Sequence, residues 1–246
     1  MTNSILEVSK LTGGYQANKP VLHNVSLNVQ SNEIVGLIGL NGAGKSTTIK
    51  HILGLLDPME GSIRVGGSTF AENKDGYRKQ FSYIPETPLL YDELTLWEHL
   101  QLTALAYELG DEWKDRAEDL LKEFRMTNMK KWFPGHFSKG MRQKVMIMCA
   151  FLVTPSLYIV DEPFVGLDPI GIQSFLDMML QMKDEGAGVL MSTHILSTAE
   201  RYCDRFIILH DGGIVMSGTM NELRNQINQP SATLDDIYIE ATRSGK

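Results

Sequence analysis

The sequence predicts an α/β fold with a mostly parallel core sheet, an N-terminal antiparallel β lobe and an α-helical subdomain inserted at residues 87–145. Three observations lead there. Strand-like apolar runs separated by turns crowd the first third of the chain. From residue 33 the pattern becomes strand, glycine loop, helix, and it returns at 157–160 and 189–191, each time followed by a helical stretch. Between those repeats charges abound and strand signals fade. Such alternation of strand and helix points to a parallel sheet with helices packed on it.

Taken in order, the strands fall at 5–8, 25–29, 33–38 and 62–65, with turn signals at Gly13-Gly14 and Gly66-Gly67. A helix is expected over 47–56. Ser82-Tyr83-Ile84-Pro85-Glu86 ends a short strand stopped by proline and followed by an acid. A helix over 96–109 carries two apolar stripes: Leu96, Trp97, Leu100 and Ala104 on one side, Leu102, Leu105, Ala106 and Leu109 on nearly the opposite side. Either it is sandwiched within the chain or it offers one face, with Leu89, Leu90 and Tyr91, to another protein. Residues 232–246 form a short helix-like end with a polar tail.

With 246 residues, 43% hydrophobic and 22% charged, the chain has the makings of one large domain, 1–246, with a substantial core. Its net charge of −7 argues against a nucleic-acid partner, because such proteins present a basic surface. The longest apolar run, 145–153, is far short of the roughly 20 residues a membrane span needs. No signal peptide is expected from MTNSILEVSK. Cys149 and Cys203 lack metal-ligand spacing and read as packing residues.

Gly39-Leu40-Asn41-Gly42-Ala43-Gly44-Lys45-Ser46-Thr47 follows an apolar strand and opens a helix, the context that a P-loop requires. Its glycines let backbone N–H groups converge on phosphate oxygens at the positive end of the helix. Lys45 adds a charge near the terminal phosphates, and the Ser46 hydroxyl is placed to ligate Mg²⁺. A second apolar strand ends in Asp161-Glu162-Pro163. There Asp161 suits the Mg²⁺ water shell and Glu162 suits activation of a water, although either acid alone is also an ordinary loop residue. A guanine-reading NKxD string is missing: Asn73-Lys74-Asp75-Gly76 ends in glycine, so a GTPase is set aside.

Phe137-Ser138-Lys139-Gly140-Met141, lying between that P-loop and that acidic strand end, resembles the signature of ATP-binding cassette proteins. The resemblance spans nearly the whole chain and implies a P-loop NTPase of the ABC cassette fold, an Mg²⁺-dependent ATPase with ATP as its ligand. It implies that Tyr15 stacks on adenine, that Gly166-Leu167-Asp168 forms the D-loop, and that His194 is a switch histidine. It also implies a second cassette, most simply another copy, whose Ser138 and Gly140 reach the γ-phosphate held by the first. Met141 and Lys139 depart from the usual signature, as in cassettes of exporters with separate membrane subunits.

The finer string similarity is to Ecs-type bacterial transporters, which implies an integral membrane subunit of the EcsB type and a peripheral position on the cytoplasmic face of the membrane. Glu86 stands where the family usually has a glutamine that meets metal and water. With an effective dielectric of about 20, a carboxylate about 4 Å from Mg²⁺ gains roughly 8 kcal/mol, and repulsion from the γ-phosphate is comparable. Geometry therefore decides whether Glu86 is a metal ligand or a solvated acid. A soluble cassette ATPase that remodels a complex without transport, and a nucleotide-binding regulator, are the competing readings.

Overall fold

The computed structural model describes residues 4–243; residues 1–3 and 244–246, the latter being the end of the expected polar tail, lie outside it. In chain order the elements are β1 (Ser4–Gly13), β2 (Leu22–Gln30), β3 (Ile34–Ile38), α1 (Lys45–Ile52), β4 (Glu60–Val65), α2 (Lys74–Lys79), β5 (Phe81–Ile84), α3 (Leu96–Ala106), α4 (Trp113–Glu123), α5 (Lys139–Leu152), β6 (Leu157–Asp161), α6 (Pro169–Asp184), β7 (Gly188–Thr193), α7 (Leu196–Tyr202), β8 (Arg205–His210), β9 (Gly213–Gly218), α8 (Met220–Gln226) and α9 (Leu234–Arg243). β1 pairs antiparallel with β2 and with β4 in a three-stranded sheet. The larger sheet has the order β5-β6-β7-β3-β8-β9, parallel except for the antiparallel edge strand β9.

Period-two alternation sends neighbouring side chains of the central strands to opposite faces. Val35, Leu37, Leu157, Ile159 and Leu190 face the N-terminal sheet, where they pack with Leu6, Val8 and Val25. Tyr158, Val160, Val189 and Met191 face the helical side and meet Phe151, Phe175 and Met179. Both faces are dry, which is why these strands read as continuous apolar runs. A third apolar cluster joins Phe206 and Ile208 to Leu223, Leu234 and Ile237.

Several boundaries differ from those expected. α1 begins at Lys45 because Gly44, in a left-handed conformation at φ 111°, caps it directly behind the loop, and it stops before Gly54 at φ 71°. α3 starts where Thr95 and Glu98 form a reciprocal capping box, and it ends ahead of Glu108 at φ 54°. Its first stripe packs inward through Leu96, Leu100 and Ala104, and its second leaves Leu102 and Leu105 exposed. Trp97 is half-buried, its ring centroid 5.1 Å from that of Trp113 with the Lys130 ammonium 3.5 Å from its own. The hairpin of β8 and β9, unexpected from the apolar runs, turns at Asp211-Gly212, both with positive φ. Cys149 and Cys203 are free, and burial pushes the Cys149 thiol up to about 11.

Candidate nucleotide site

The C-terminal ends of three adjacent parallel strands bring the site together. Ile38 of β3 pairs with Thr193 of β7, and Asp161 of β6 pairs with Ser192 of β7. The loop 39–44, the acids 161–162 and His194 therefore leave the same edge of the sheet, where open α/β folds hold their ligands.

Lys45 is 6% exposed and donates to the Gly39 carbonyl at 2.7 Å. Its ammonium also stands 3.4 Å from Glu162 Oε1. Glu162 Oε2 accepts from His194 Nδ1 at 2.8 Å and from the His194 backbone N–H at 3.3 Å. Oε1, although buried and near the lysine, has no hydrogen-bond partner. A buried oxygen with an ion-pair contact but no hydrogen bond has acceptor capacity left for a further donor. Glu162 is held in the left-handed region at φ 47°, at a backbone cost of about 1–2 kcal/mol for a non-glycine residue. Next to it, buried Asp161 accepts a hydrogen bond from the Ser192 hydroxyl.

A cavity of about 350 Å³ is lined by Tyr15, Val21, Leu40, Gly42, Lys45 and Thr47, with Asn41, Gly44 and Ser46 completing the wall. Tyr15 is 57% exposed at its mouth. Hydrogen bonding from Thr47, and then from Lys50, holds the Tyr15 phenol below its ordinary range.

Among the described residues no three acidic, histidine or cysteine side chains cluster into a metal cage. The donors at this edge are the Ser46 hydroxyl and the Asp161 carboxylate. That set fits Mg²⁺, which keeps much of its coordination in water and substrate phosphate oxygens. Glu86 follows Pro85 just past the end of β5, the strand beside β6, and it is exposed without a hydrogen bond or ion pair among the described residues. Burial, and then the charges of Asp161 and Glu86, push the Tyr83 phenol up, so both acids lie within electrostatic reach of one ring.

Ser138 lies apart from this cluster. It caps α5 by accepting from Met141 N–H at 3.2 Å and is otherwise exposed. Gly140 must be glycine, because a Cβ there would collide with the Gly166 carbonyl. Asp168 caps α6 through Gly171 N–H at 2.6 Å and pairs with Lys144 at 2.9 Å. The lysine and then that N–H hold the Asp168 carboxyl below its usual range. Fully buried Gln143 donates to the Pro85 carbonyl at 3.0 Å. Neither Gln143 nor Lys144 was singled out from sequence. The only signal available was their place one turn into the helix that Ser138 starts.

A buried lysine from a P-loop, aligned with a strand-end Asp-Glu pair and a histidine just past the end of the next strand, defines the class. The chain belongs to the ABC transporter family, whose model matches residues 22–165. It is 64% identical over 241 residues, 98% of this chain and 97% of the relative, to the ABC-type transporter ATP-binding protein EcsA of Bacillus subtilis (strain 168). It is 34% identical over 225 residues, 91% and 72% of the two chains, to the bacitracin transport ATP-binding protein BcrA of Bacillus licheniformis. A solved structure of the ATP binding subunit of an ABC transporter superposes with TM-score 0.94 at 55% identity, covering 96% of this chain and 99% of that one. The fold is thus the ABC ATPase cassette, and membership implies nucleotide binding and ATPase activity.

Proposed function

We propose that this chain is the ATP-hydrolysing motor subunit of an Ecs-type bacterial transporter, working in export. Residues 1–246 form one cassette, with 87–145 as its signature-bearing subdomain. Two copies close head to tail on two ATP molecules, and each drives a separate membrane subunit of the EcsB type from the cytoplasmic face. Among the described residues no helix is long and apolar enough to cross a membrane.

The loop amides and Lys45 cradle the phosphates. Glu162 takes the proton of the attacking water, and His194 orients that carboxylate. Ser138 and the Gly140 N–H of the opposite copy meet the γ-phosphate, and Asp168 holds the adjoining loop. Ser46 and Asp161, with Glu86 as the third candidate ligand, would hold Mg²⁺, which when bound would supply charge neutralisation at the terminal phosphates. Tyr15 stacks on the base, and Asn41, Gly42, Ala43, Gly44 and Thr47 complete the contacts.

The observation that carries this reading is the Glu162 carboxylate, with one oxygen held by His194 and the other buried beside Lys45 without a hydrogen bond. Glu162→Gln is expected to abolish turnover of the purified chain while ATP traps it as a dimer by light scattering. A variant that hydrolyses ATP at the wild-type rate would remove Glu162 from the role of base.

The exposed residues Leu89, Tyr91, Leu102 and Leu105 form the docking face for the membrane subunit. Trp97 and Leu90 are unsuitable probes, because both pack against the chain's own core. Leu105→Glu is expected to preserve ATP binding and lose co-purification with the membrane subunit. Unchanged co-purification would move the docking face elsewhere.

A further inference from the structure

Beside the nucleotide cavity, whose wall includes Tyr15 and Thr47, one face of α1 reaches past the P-loop run to two further residues, Lys50 and His51. Thr47, Lys50 and His51 stand at i, i+3 and i+4 and so share one helix face. That face carries the segment that holds Tyr15. The Thr47 hydroxyl lies 3.5 Å from the Tyr15 hydroxyl, and Lys50 Nζ donates to the same oxygen at 3.2 Å. The Lys50 ammonium is 5.0 Å from the ring centroid.

Beneath this, His51 is 2% exposed and donates from Nδ1 to the Leu56 carbonyl at 3.0 Å. That leaves Nε2 unprotonated, buried and without a partner. It presses on Gly13, where a Cβ would come within 2.5 Å of it. The loop is closed above the ring by Val21 N–H on the Gly13 carbonyl at 2.8 Å. An exposed aromatic is thus tethered at its tip and seated at its base before any ligand arrives.

We propose that Lys50 is a positioning residue for the nucleobase, holding the Tyr15 ring in its stacking orientation. The inference rests on the reading of Tyr15 as the ring that stacks on adenine. Ordering a free side chain on binding has an entropic cost, and a single hydrogen bond of this kind is enough to offset it. Lys50 removes that cost in advance for the base and leaves the triphosphate to Lys45 and the loop amides.

The test is calorimetric binding of ATP and of inorganic tripolyphosphate, both with Mg²⁺, to the full chain. Lys50→Met is expected to raise the Kd for ATP about 3- to 10-fold, since a factor of ten corresponds to 1.4 kcal/mol. It leaves tripolyphosphate affinity unchanged. Lys50→Arg keeps wild-type affinity. Tyr15→Phe, which keeps the ring but removes the tethered oxygen, weakens ATP by the same factor as Lys50→Met, and the double variant loses no more. An equal loss for ATP and tripolyphosphate would make Lys50 a distant phosphate cation and overturn the proposal, as would no loss for either. Wild-type chain that binds tripolyphosphate but gains nothing from the base would overturn the stacking role of Tyr15 itself.

Discussion

The phosphate end of the site and the signature end differ in how far their polar groups are already satisfied. At the first, Lys45, Asp161 and Glu162 are each less than a tenth exposed and interlocked through Gly39, Ser192 and His194. At the second, Ser138 is open to solvent and bonded only to its own helix. Buried charges have to be paired to offset their desolvation, and here the partners all come from the same chain. On the proposed reading, a hydroxyl and a helix N-terminus left facing outward, on a helix locked behind by Gly140 against Gly166, are half of a site whose anion comes from the other copy. On this account two copies of the chain each supply one end.

The sharpest way to break the contrast is Ser138→Arg. It is expected to lower ATP turnover about 1000-fold, the scale for loss of a preorganised anion contact, while monomer ATP affinity stays within about twofold of wild type. An equal loss of monomer affinity would put Ser138 in the cis site. Glu86→Gln comes next and sharpens the phosphate end. If the carboxylate ligates the metal, about tenfold more Mg²⁺ is needed for half-maximal turnover, a shift worth about 1.4 kcal/mol. An unchanged Mg²⁺ curve would leave Glu86 as the exposed acid seen beside Tyr83.

The smallest effect concerns stability. Burial holds the His51 imidazole below its ordinary value of 6.5, so below that pH the unfolded chain takes up a proton that the folded chain resists. The associated stability is complete above that pH and falls as pH drops toward the lowered folded value. The urea midpoint is expected to fall further between about pH 7.5 and 5.5 in wild type than in His51→Asn. Equal slopes would contradict the buried neutral histidine.

The phosphate end was legible in the sequence because its chemistry is local. The run 39–47 places its donors by loop curvature, and Asp161-Glu162 ends an apolar strand, so strand pairing alone aligns them. What was not legible depends on tertiary contact. The Lys50–Tyr15 tether spans 35 residues, and the link from Gln143 to Pro85 spans 58. Nothing in the spacing of either pair signals its partner. The β8–β9 hairpin was marked by Asp211-Gly212, yet β9 is only partly buried and lacks the continuous apolar run that revealed the central strands. On α3 the two stripes were visible, but which one faces the core was settled by packing against α5 and α4.

If the two ends work in trans, mixing two dead variants restores what neither has alone. Lys45→Ala spoils the phosphate end and Ser138→Arg spoils the signature end, so each alone is expected to be inactive under conditions where wild type turns over. An equal mixture recovers about a quarter of wild-type turnover, because half the dimers are mixed and each of those keeps one intact site out of two. A mixture no more active than its separate components would contradict the account.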